Sequence, residues 1–183
     1  MRLLLIGCTG FIGKELVPFL LTAGHQVTLV SRKELKEFQE HPQKGNLINL
    51  QSNPNNPTHW QKGPLLKALN DAEGVVNLAG EPISEKRWTK AHCKTLETSR
   101  LNTTRSLIEA MENMKRPPKV LLNASAIGYY GTSQNDYFTE ESSNGEDFLA
   151  KLCEQWELLA KGKPKTTRLI IIRIGIVLGP DGG

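Results

Sequence analysis

GCTGFIG, residues 7–13, decides the fold because of what stands on either side of it. LLLIG (3–7) is a short apolar run that predicts a buried parallel strand, and FIGKELVPFLLTAG (11–24) carries apolar residues at helical spacing. A glycine-rich loop between a strand and a helix is typical of a dinucleotide-binding turn. The segment therefore predicts dinucleotide binding; the alternative is a glycine turn that serves packing alone.

Each of the three glycines has a separate role in such a loop. Gly7 permits the tight turn, Gly10 lets the backbone approach a pyrophosphate, and Gly13 lets the helix pack close to the strand. The helix N-terminus adds N–H groups and the positive end of the helix dipole. The predicted phosphate site therefore consists of the loop residues Gly7, Thr9, Gly10, Phe11, Ile12 and Gly13.

The end of the second predicted strand, QVTLVSR (26–32), indicates which dinucleotide is bound. A site that prefers NAD(H) usually carries Asp or Glu here to bind the ribose 2′-hydroxyl. Ser31 and Arg32 occupy this place, and a guanidinium holds a 2′-phosphate through charge-assisted hydrogen bonds. We therefore expect NADP(H) rather than NAD(H). Under the alternative, Arg32 is a solvated residue at a strand end.

Further apolar runs alternate with amphipathic stretches along the rest of the chain. The runs predict strands at NLINLQ (46–51), GVVNLAG (74–80), KVLLNASAIG (119–128) and RLIIIRIGIVLG (168–179). The stretches predict helices at LLKALNDA (65–72), from about 87 to 114, and at EDFLAKLCEQWELLAK (146–161), with a short helix or loop over 33–45. This alternation requires a parallel sheet covered by helices on both faces. The predicted fold is α/β, a Rossmann-type doubly wound parallel sheet with strand order 3-2-1-4-5-6.

The length of 183 residues suits one domain with its own core. We therefore predict a single dinucleotide-binding Rossmann domain over residues 1–183. The last residues, GPDGG (179–183), follow directly on a predicted strand, whereas domains usually end on a docked element or in a polar tail. This ending predicts the N-terminal part of a longer protein.

The composition argues against several classes of partner. The net charge of +4 is small and dispersed, and the densest basic stretch, KGKPKTTR (161–168), is typical of a solvated loop, so nucleic acid is not expected. No apolar run reaches about 18 residues, so no membrane span is expected. The three cysteines and four histidines show no metal-ligand spacing, and the odd cysteine count indicates reduced thiols in a cytoplasmic protein.

Several segments together resemble the extended short-chain dehydrogenase/reductase superfamily. GCTGFIG is similar to its glycine loop, NLAG (77–80) to its fourth-strand motif, and NASAIGYYG (123–131) to the segment that carries its active-site serine. SRK, NLAGEPI, SRLNTTR and SAIGYYG resemble more narrowly an epimerase-like branch of the NAD(P)-dependent epimerase/dehydratase family, known as nucleoside-diphosphate-sugar epimerases or cell-division inhibitors. The resemblance runs from Met1 to Gly183 and implies a further C-terminal substrate-binding portion.

The resemblance also implies roles for single residues. Leu78, Ala79 and Gly80 are expected to border the cofactor, and Ser125 is expected to be the active-site serine. Arg100 stands where many relatives have Asn, and we expect it at the cofactor site or facing an anionic substrate. Its neighbours Ser99, Asn102 and Thr103 are small enough to pack beside a cofactor. A partly solvated helix is the alternative for this segment.

The sequence lacks the superfamily's Tyr-x-x-x-Lys pair on the helix after the fifth strand. In that pair the lysine lowers the pKa of the tyrosine, which then exchanges a proton with the substrate. None of the chain's tyrosines, Tyr129, Tyr130 and Tyr137, has a lysine four residues later. Counting along the helix places Leu149 at the tyrosine position and Cys153 at the lysine position. The usual mechanism is therefore not assigned.

Three kinds of side chain are candidate substitutes for the missing pair. Ser125 is expected to donate a hydrogen bond to a substrate oxygen, and Tyr129 or Tyr130 to act as the acid. Lys151 lies within one helical turn of the lysine position. Under the alternative, the two tyrosines pack a loop and Lys151 is solvated.

Two hypotheses of different classes follow. The first is an NADP(H)-dependent, epimerase-like oxidoreductase that acts on a small carbonyl- or alcohol-bearing substrate, with a nucleotide sugar suggested by the family alone. The second is a catalytically silent NADP(H)-binding sensor or regulatory protein, which the missing Tyr-x-x-x-Lys pair favours. Both are compatible with a homo-oligomer.

Overall fold

Six parallel strands form one sheet in the order β3-β2-β1-β4-β5-β6, in a computed structural model that describes residues 1–35, 38 and 41–179. The strands are β1, Arg2–Ile6; β2, Gln26–Ser31; β3, Leu47–Gln51; β4, Gly74–Asn77; β5, Val120–Ala126; and β6, Arg168–Ile174. The predicted fold class and strand order are therefore confirmed.

Five helices are described between the strands. They are α1, Phe11–Thr22; α2, Thr58–Gln61; α3, Pro64–Asp71; α4, Lys90–Glu112; and α5, Phe148–Lys161, with 3₁₀ turns at Lys44–Asn46 and Ile127–Tyr130. The side chains of Thr89 and Asp147 accept backbone N–H bonds at the starts of α4 and α5. Helix α1 begins at Gly10 with no such side chain. Its first N–H groups are therefore available to a ligand.

Two predicted strands end three or more residues earlier than their apolar patterns suggest. β4 stops at Asn77 rather than at residue 80, because the Asn77 side-chain oxygen accepts the Ala79 N–H at 3.2 Å and turns the chain out of the sheet. β6 stops at Ile174 rather than at residue 179. Residues 36, 37, 39 and 40 of the predicted segment 33–45, and 180–183 of the GPDGG ending, lie outside the described residues.

The core lies on both faces of the sheet, because successive residues of a strand point to opposite faces. On one face Leu3 and Leu5 pack with Val17 and Leu21 of α1. On the other, Leu4 and Ile6 pack with residues of α2, α3 and α4, among them Trp60, Leu65, Leu69, Leu107 and Met111. Helices on both faces make this a doubly wound sheet.

The strand order reverses at β1, whose neighbours are β2 and β4. The connections that leave β1 and β4 therefore part on opposite sides of the sheet and open a crevice at its carboxyl edge, where ligands of such sheets bind. The loops after β1, β2, β4 and β5 carry the predicted site residues to this edge. Among the described residues, no helix has both the length and the apolar character needed to cross a membrane.

Candidate functional site

The first and third glycines of the loop are required by close packing. Gly7 has a φ of +74°, and a Cβ there would overlap the Ala79 backbone. A Cβ on Gly13 would overlap the Cys8 carbonyl. Cys8 itself is buried, and burial raises the pKa of its thiol to about 12, so it is an inert packing residue. The close approach of Gly7 to Ala79 holds the loop against the segment that follows β4, and that of Gly13 to Cys8 holds the start of α1 against the loop.

Gly10 has a different environment. It is the residue before α1, with extended backbone angles, and a Cβ there would meet no atom within 4 Å. No side chain caps α1, and its first turn holds no acidic residue. Uncapped N–H groups facing open space fit an anion such as a pyrophosphate. Thr9 is exposed, and Phe11 and Ile12 are half-buried around this opening.

Ser31 and Arg32, at the end of β2, differ in their exposure to solvent. Ser31 is buried, and its hydroxyl accepts the Lys33 N–H at 3.1 Å. Arg32 and Lys33 are exposed, and within the described ranges neither forms an ion pair. The pKa of Glu81 is lowered mainly by its hydrogen bond with Lys86 and, to a smaller extent, by the charge of Arg32. Arg32 is therefore near the segment after β4, with its guanidinium available to an anion.

A buried polar network fixes that segment. The amide nitrogen of Asn77 donates to Asn123 Oδ1 at 2.7 Å and to Thr104 Oγ1 at 3.0 Å, while its oxygen accepts the Ala79 N–H. Trp156 Nε1 also donates to Thr104 Oγ1, at 2.8 Å. The network ties β4, β5, α4 and α5 together. It positions Leu78, Ala79 and Gly80 at the crevice.

Arg100 of α4 lies directly against Gly80. A Cβ on Gly80 would stand 2.9 Å from the guanidinium carbon, so a larger residue there would require the Arg100 side chain to shift. The guanidinium also lies 5.4 Å from the centre of the Trp156 ring. The adjacent Ser99 hydroxyl accepts the Glu81 N–H at 3.0 Å. Three small polar residues of α4 are expected beside the cofactor. Ser99 contacts the segment after β4, and Thr103 is buried. Asn102 instead accepts a hydrogen bond from the exposed Arg105.

Ser125 sits at the end of β5 above a buried ion pair. Its hydroxyl donates to Glu157 Oε1 at 2.7 Å, and Glu157 is bound at both oxygens by Arg173, at 2.8 and 2.9 Å. Burial raises the pKa of Glu157, but the bonds from Arg173 and Ser125 outweigh it, so the pKa is lowered. Because its proton points to an ionised carboxylate, Ser125 offers a ligand only its lone pairs. Donation from Ser125 to a substrate oxygen, which the sequence predicts, would require this hydroxyl to turn away from Glu157 and stays a prediction.

The two candidate tyrosines surround Arg173. Its guanidinium carbon lies 3.5 Å from the centre of the Tyr129 ring, and its Nη1 donates to the Tyr130 hydroxyl at 2.9 Å. Tyr130 also stacks on Phe138, with ring centres 5.2 Å apart. Among the described residues, neither tyrosine bonds to Ser125 directly. Tyr130 is joined to it through Arg173 and Glu157.

Leu149 and Cys153, the predicted positions of the missing pair, lie near the end of β5. Leu149 lies against Gly128, with its Cβ 3.5 Å from where a Gly128 Cβ would stand. Cys153 is buried; burial raises its pKa, while hydrogen bonds with Ala126 and Ser125 and the charge of Arg100 oppose the rise. Lys151 is exposed on the opposite side of α5, since two residues correspond to about 200° of rotation. The structure therefore does not support Lys151 as a substitute.

Comparisons with known proteins agree with this geometry. The family model described as "NAD dependent epimerase/dehydratase family" matches residues 3–183. The chain belongs to this family. It is 38% identical over 182 residues to the epimerase family protein SDR39U1 homolog, chloroplastic, of Arabidopsis thaliana, a match that covers 97% of this chain and 49% of the relative. The human epimerase family protein SDR39U1 is 35% identical over 186 residues, covering 100% and 57%.

Solved structures support the same assignment to the epimerase/dehydratase family. The crystal structure of human SDR39U1 (isoform 2) with NADPH superimposes with a TM-score of 0.78 at 33% identity, covering 100% of this chain and 56% of that one. The nucleoside-diphosphate sugar epimerase of Corynebacterium glutamicum gives 0.77 at 30%, covering 100% and 35%. The chain spans about half the length of the curated relatives it matches.

Two site residues of this epimerase-family chain were missed by the sequence reasoning. The sequence analysis assigns no role to Glu157, and it treats Arg173 as part of an apolar strand. Both left a signal. Glu157 is an acid beside the apolar positions of α5, and Arg173 interrupts the run IIIRI (170–174). Buried charges are rare unless paired, so the two together point to an ion pair.

No group of three or more His, Cys, Asp or Glu side chains within residues 1–35, 38 and 41–179 is arranged to hold a metal ion.

Proposed function

We propose that this chain binds NADP(H) along the carboxyl edge of its sheet and that residues 1–183 are its dinucleotide-binding domain. The observation that carries the proposal is the uncapped N-terminus of α1, open at Gly10, beside an exposed Arg32 at the end of β2. The first suits a pyrophosphate and the second a 2′-phosphate. The NADPH in the human SDR39U1 structure supports the same cofactor.

The direction of the bound cofactor follows from these two contacts. With the adenosine end at β2 and the pyrophosphate at α1, the nicotinamide half extends over the ends of β4 and β5. Gly80, Ser125 and Cys153 lie in that region. When bound, the nicotinamide supplies hydride exchange. A substrate held above Ser125 is thus placed next to the reacting ring.

We propose that the protein is an epimerase-like oxidoreductase acting on a small carbonyl- or alcohol-bearing substrate. Ser125 accepts a hydrogen bond from a substrate hydroxyl, since its own proton is directed to Glu157. Tyr129 or Tyr130 exchanges the proton. The name of the Corynebacterium glutamicum relative supports a nucleotide sugar as the substrate class.

A silent NADP(H)-binding sensor is the second candidate. It is favoured by the residues that counting along α5 places at the positions of the catalytic tyrosine and lysine: Leu149 cannot exchange a proton, and Cys153 cannot supply a positive charge. Such a protein binds the cofactor as tightly as an enzyme does and leaves it unchanged.

Calorimetric titration of the full chain with NADPH, NADP⁺, NADH and NAD⁺ tests both candidates. Tight binding of the phosphorylated pair followed by NADPH oxidation on a panel of carbonyls and nucleotide sugars identifies an enzyme. Binding without oxidation identifies the sensor, and absence of binding overturns both. For an enzyme, Ser125→Ala and Tyr130→Phe lower turnover, while Tyr137→Phe, which alters a fully exposed ring, does not.

We also propose a cytoplasmic location, since Cys8, Cys93 and Cys153 are all free thiols. The chloroplastic relative shows that location varies within the family. We propose a small molecule as the partner, and size-exclusion chromatography with light scattering determines whether the protein forms a homo-oligomer.

A further inference from the structure

A half-buried guanidinium, that of Arg100, faces the crevice from α4. It lies between Gly80 on one side and the Trp156 ring on the other. Its Nη1 donates to the Leu96 carbonyl at 3.1 Å. A guanidinium has five N–H donors, and in the described part of the chain this is the one hydrogen bond that the Arg100 guanidinium makes. Most of its donors are therefore available to a ligand.

Arg100 also lacks a carboxylate partner. The ion pairs found among residues 1–35, 38 and 41–179 are Lys86–Glu81, Lys94–Glu97 and Arg173–Glu157. Burial lowers the pKa of Arg100, and the acidic groups near it, Cys153 and Glu81, oppose this only in part. A charge that is half out of water without a partner is costly, and a polar ligand offsets that cost.

The Arg100 charge lies near Cys153, the residue at the predicted position of the missing lysine. Relatives in the superfamily carry a lysine at this helix position, and here a neutral thiol occupies it. The Arg100 guanidinium lies 5.4 Å from the ring of Trp156, which follows Cys153 by about one turn of α5, and its charge acts to lower the pKa of the Cys153 thiol. Arg100 of α4 therefore supplies a positive charge near residue 153, where a lysine on α5 would otherwise supply it.

We propose that Arg100 replaces the missing lysine as the cation of the site and donates hydrogen bonds to the nicotinamide-ribose hydroxyls of NADP(H). This inference rests on the proposed cofactor. It assigns to Arg100 a cofactor-binding role at the nicotinamide half, separate from the role of Arg32 at the adenosine half. An anionic substrate as the main ligand of Arg100 is the outcome that the test must distinguish.

Calorimetric titration of three variants tests the proposal. Arg100→Met removes the charge that lies over Trp156 but keeps an unbranched side chain, Arg100→Lys keeps the charge, and Arg105→Met is the control at an exposed position of the same helix. Each is titrated with NADPH and with adenosine 2′,5′-bisphosphate, which contains only the adenosine half. We expect Arg100→Met to weaken NADPH about tenfold or more and to leave the bisphosphate unchanged. We expect Arg100→Lys to retain most of the affinity.

Titration with the two ligands shows whether the proposed cofactor or the proposed role of Arg100 is wrong. If wild type binds neither ligand, the proposed cofactor is wrong and this inference falls with it. If NADPH binds equally well to wild type and to Arg100→Met, Arg100 does not hold the cofactor, and an anionic substrate becomes its ligand. If both ligands weaken to the same degree in Arg100→Met, its role is structural. A charge swap, Arg100→Ala with Cys153→Lys, is expected to bind NADPH more tightly than Arg100→Ala alone, and equal binding contradicts the proposal.

Discussion

Glu157 and Arg173 form a two-point ion pair directly beneath Ser125, with Nε to Oε1 at 2.8 Å and Nη2 to Oε2 at 2.9 Å. Glu157 is 1% exposed. Arg173 also donates to the Tyr130 hydroxyl and to the Glu140 carbonyl, so one guanidinium connects β6, α5 and the segment after β5. Both the orientation of Ser125 and the packing of the tyrosines depend on this pair.

Removing one member of the pair is expected to destabilise the fold strongly. Glu157→Gln leaves the Arg173 charge without its carboxylate, and losing one partner of a buried pair costs about 3–5 kcal/mol. Urea denaturation followed by circular dichroism measures the free energy of unfolding. The double variant Glu157→Leu with Arg173→Met is expected to be more stable than Glu157→Gln, because it leaves no buried charge. A loss below about 1 kcal/mol in Glu157→Gln contradicts the assigned role.

The same pair predicts how stability depends on pH. The pKa of Glu157 is lower in the folded protein than its ordinary value of about 4.3, so its contribution is complete above that value and is lost as the pH falls through the folded pKa. The difference in unfolding free energy between wild type and Glu157→Gln is therefore expected to be constant from pH 7 to 5 and to shrink below about pH 4. Urea titrations at each pH measure this difference. A difference that grows on acidification would mean that the folded pKa is raised.

Two glycines of the loop are expected to respond differently to substitution by alanine: one change affects the free energy of unfolding, and the other affects NADPH affinity. Gly7→Ala meets the Ala79 backbone at a positive φ, so it should lower the free energy of unfolding by at least about 3 kcal/mol. Gly10→Ala places its methyl group in open space, so stability should change by no more than about 1 kcal/mol. NADPH affinity should nevertheless fall about tenfold, since the methyl group occupies the approach to the α1 N-terminus. Unchanged affinity in Gly10→Ala would place the phosphates elsewhere.

Arg32 is expected to distinguish the two cofactors. Arg32→Asp removes the charged donors for a 2′-phosphate and adds repulsion, so NADPH should weaken by about a hundredfold and NADH by less than about threefold. Calorimetry measures both. Arg168→Asp makes the same change at an exposed residue at the opposite end of the sheet and should alter neither affinity. Equal losses for NADPH and NADH in Arg32→Asp contradict the phosphate assignment.

The sheet was predictable because each strand is a short apolar run that ends in small or polar residues. Strand ends were less predictable. The turn made by the Asn77 side chain depends on a hydrogen bond two residues away, which no apolar pattern reveals. Ile176 and Leu178 continue the apolar pattern of β6 and are nevertheless exposed and outside the strand.

The parts of the candidate site that lie within one stretch of sequence were predictable, whereas contacts between different elements were not. The glycine loop, Arg32 and the positions of Leu149 and Cys153 can be read along the chain. The bond between Glu157 and Arg173 joins residues on different elements, and so does the contact between Arg100 and Gly80. Their partners become apparent only once α4, α5 and β6 are packed on the sheet.

The position of Trp156 gives the protein an optical reporter. Its indole lies beside Arg100 and is held by Thr104, at the end of the crevice assigned to the nicotinamide. Indole emission overlaps the absorption of reduced nicotinamide, so energy transfer from this ring quenches its fluorescence when NADPH arrives. Of the chain's three tryptophans, Trp60 lies on α2 and Trp88 in the loop before α4, and replacing both with phenylalanine leaves Trp156 as the one tryptophan emitter. Cofactor occupancy then becomes visible without any label.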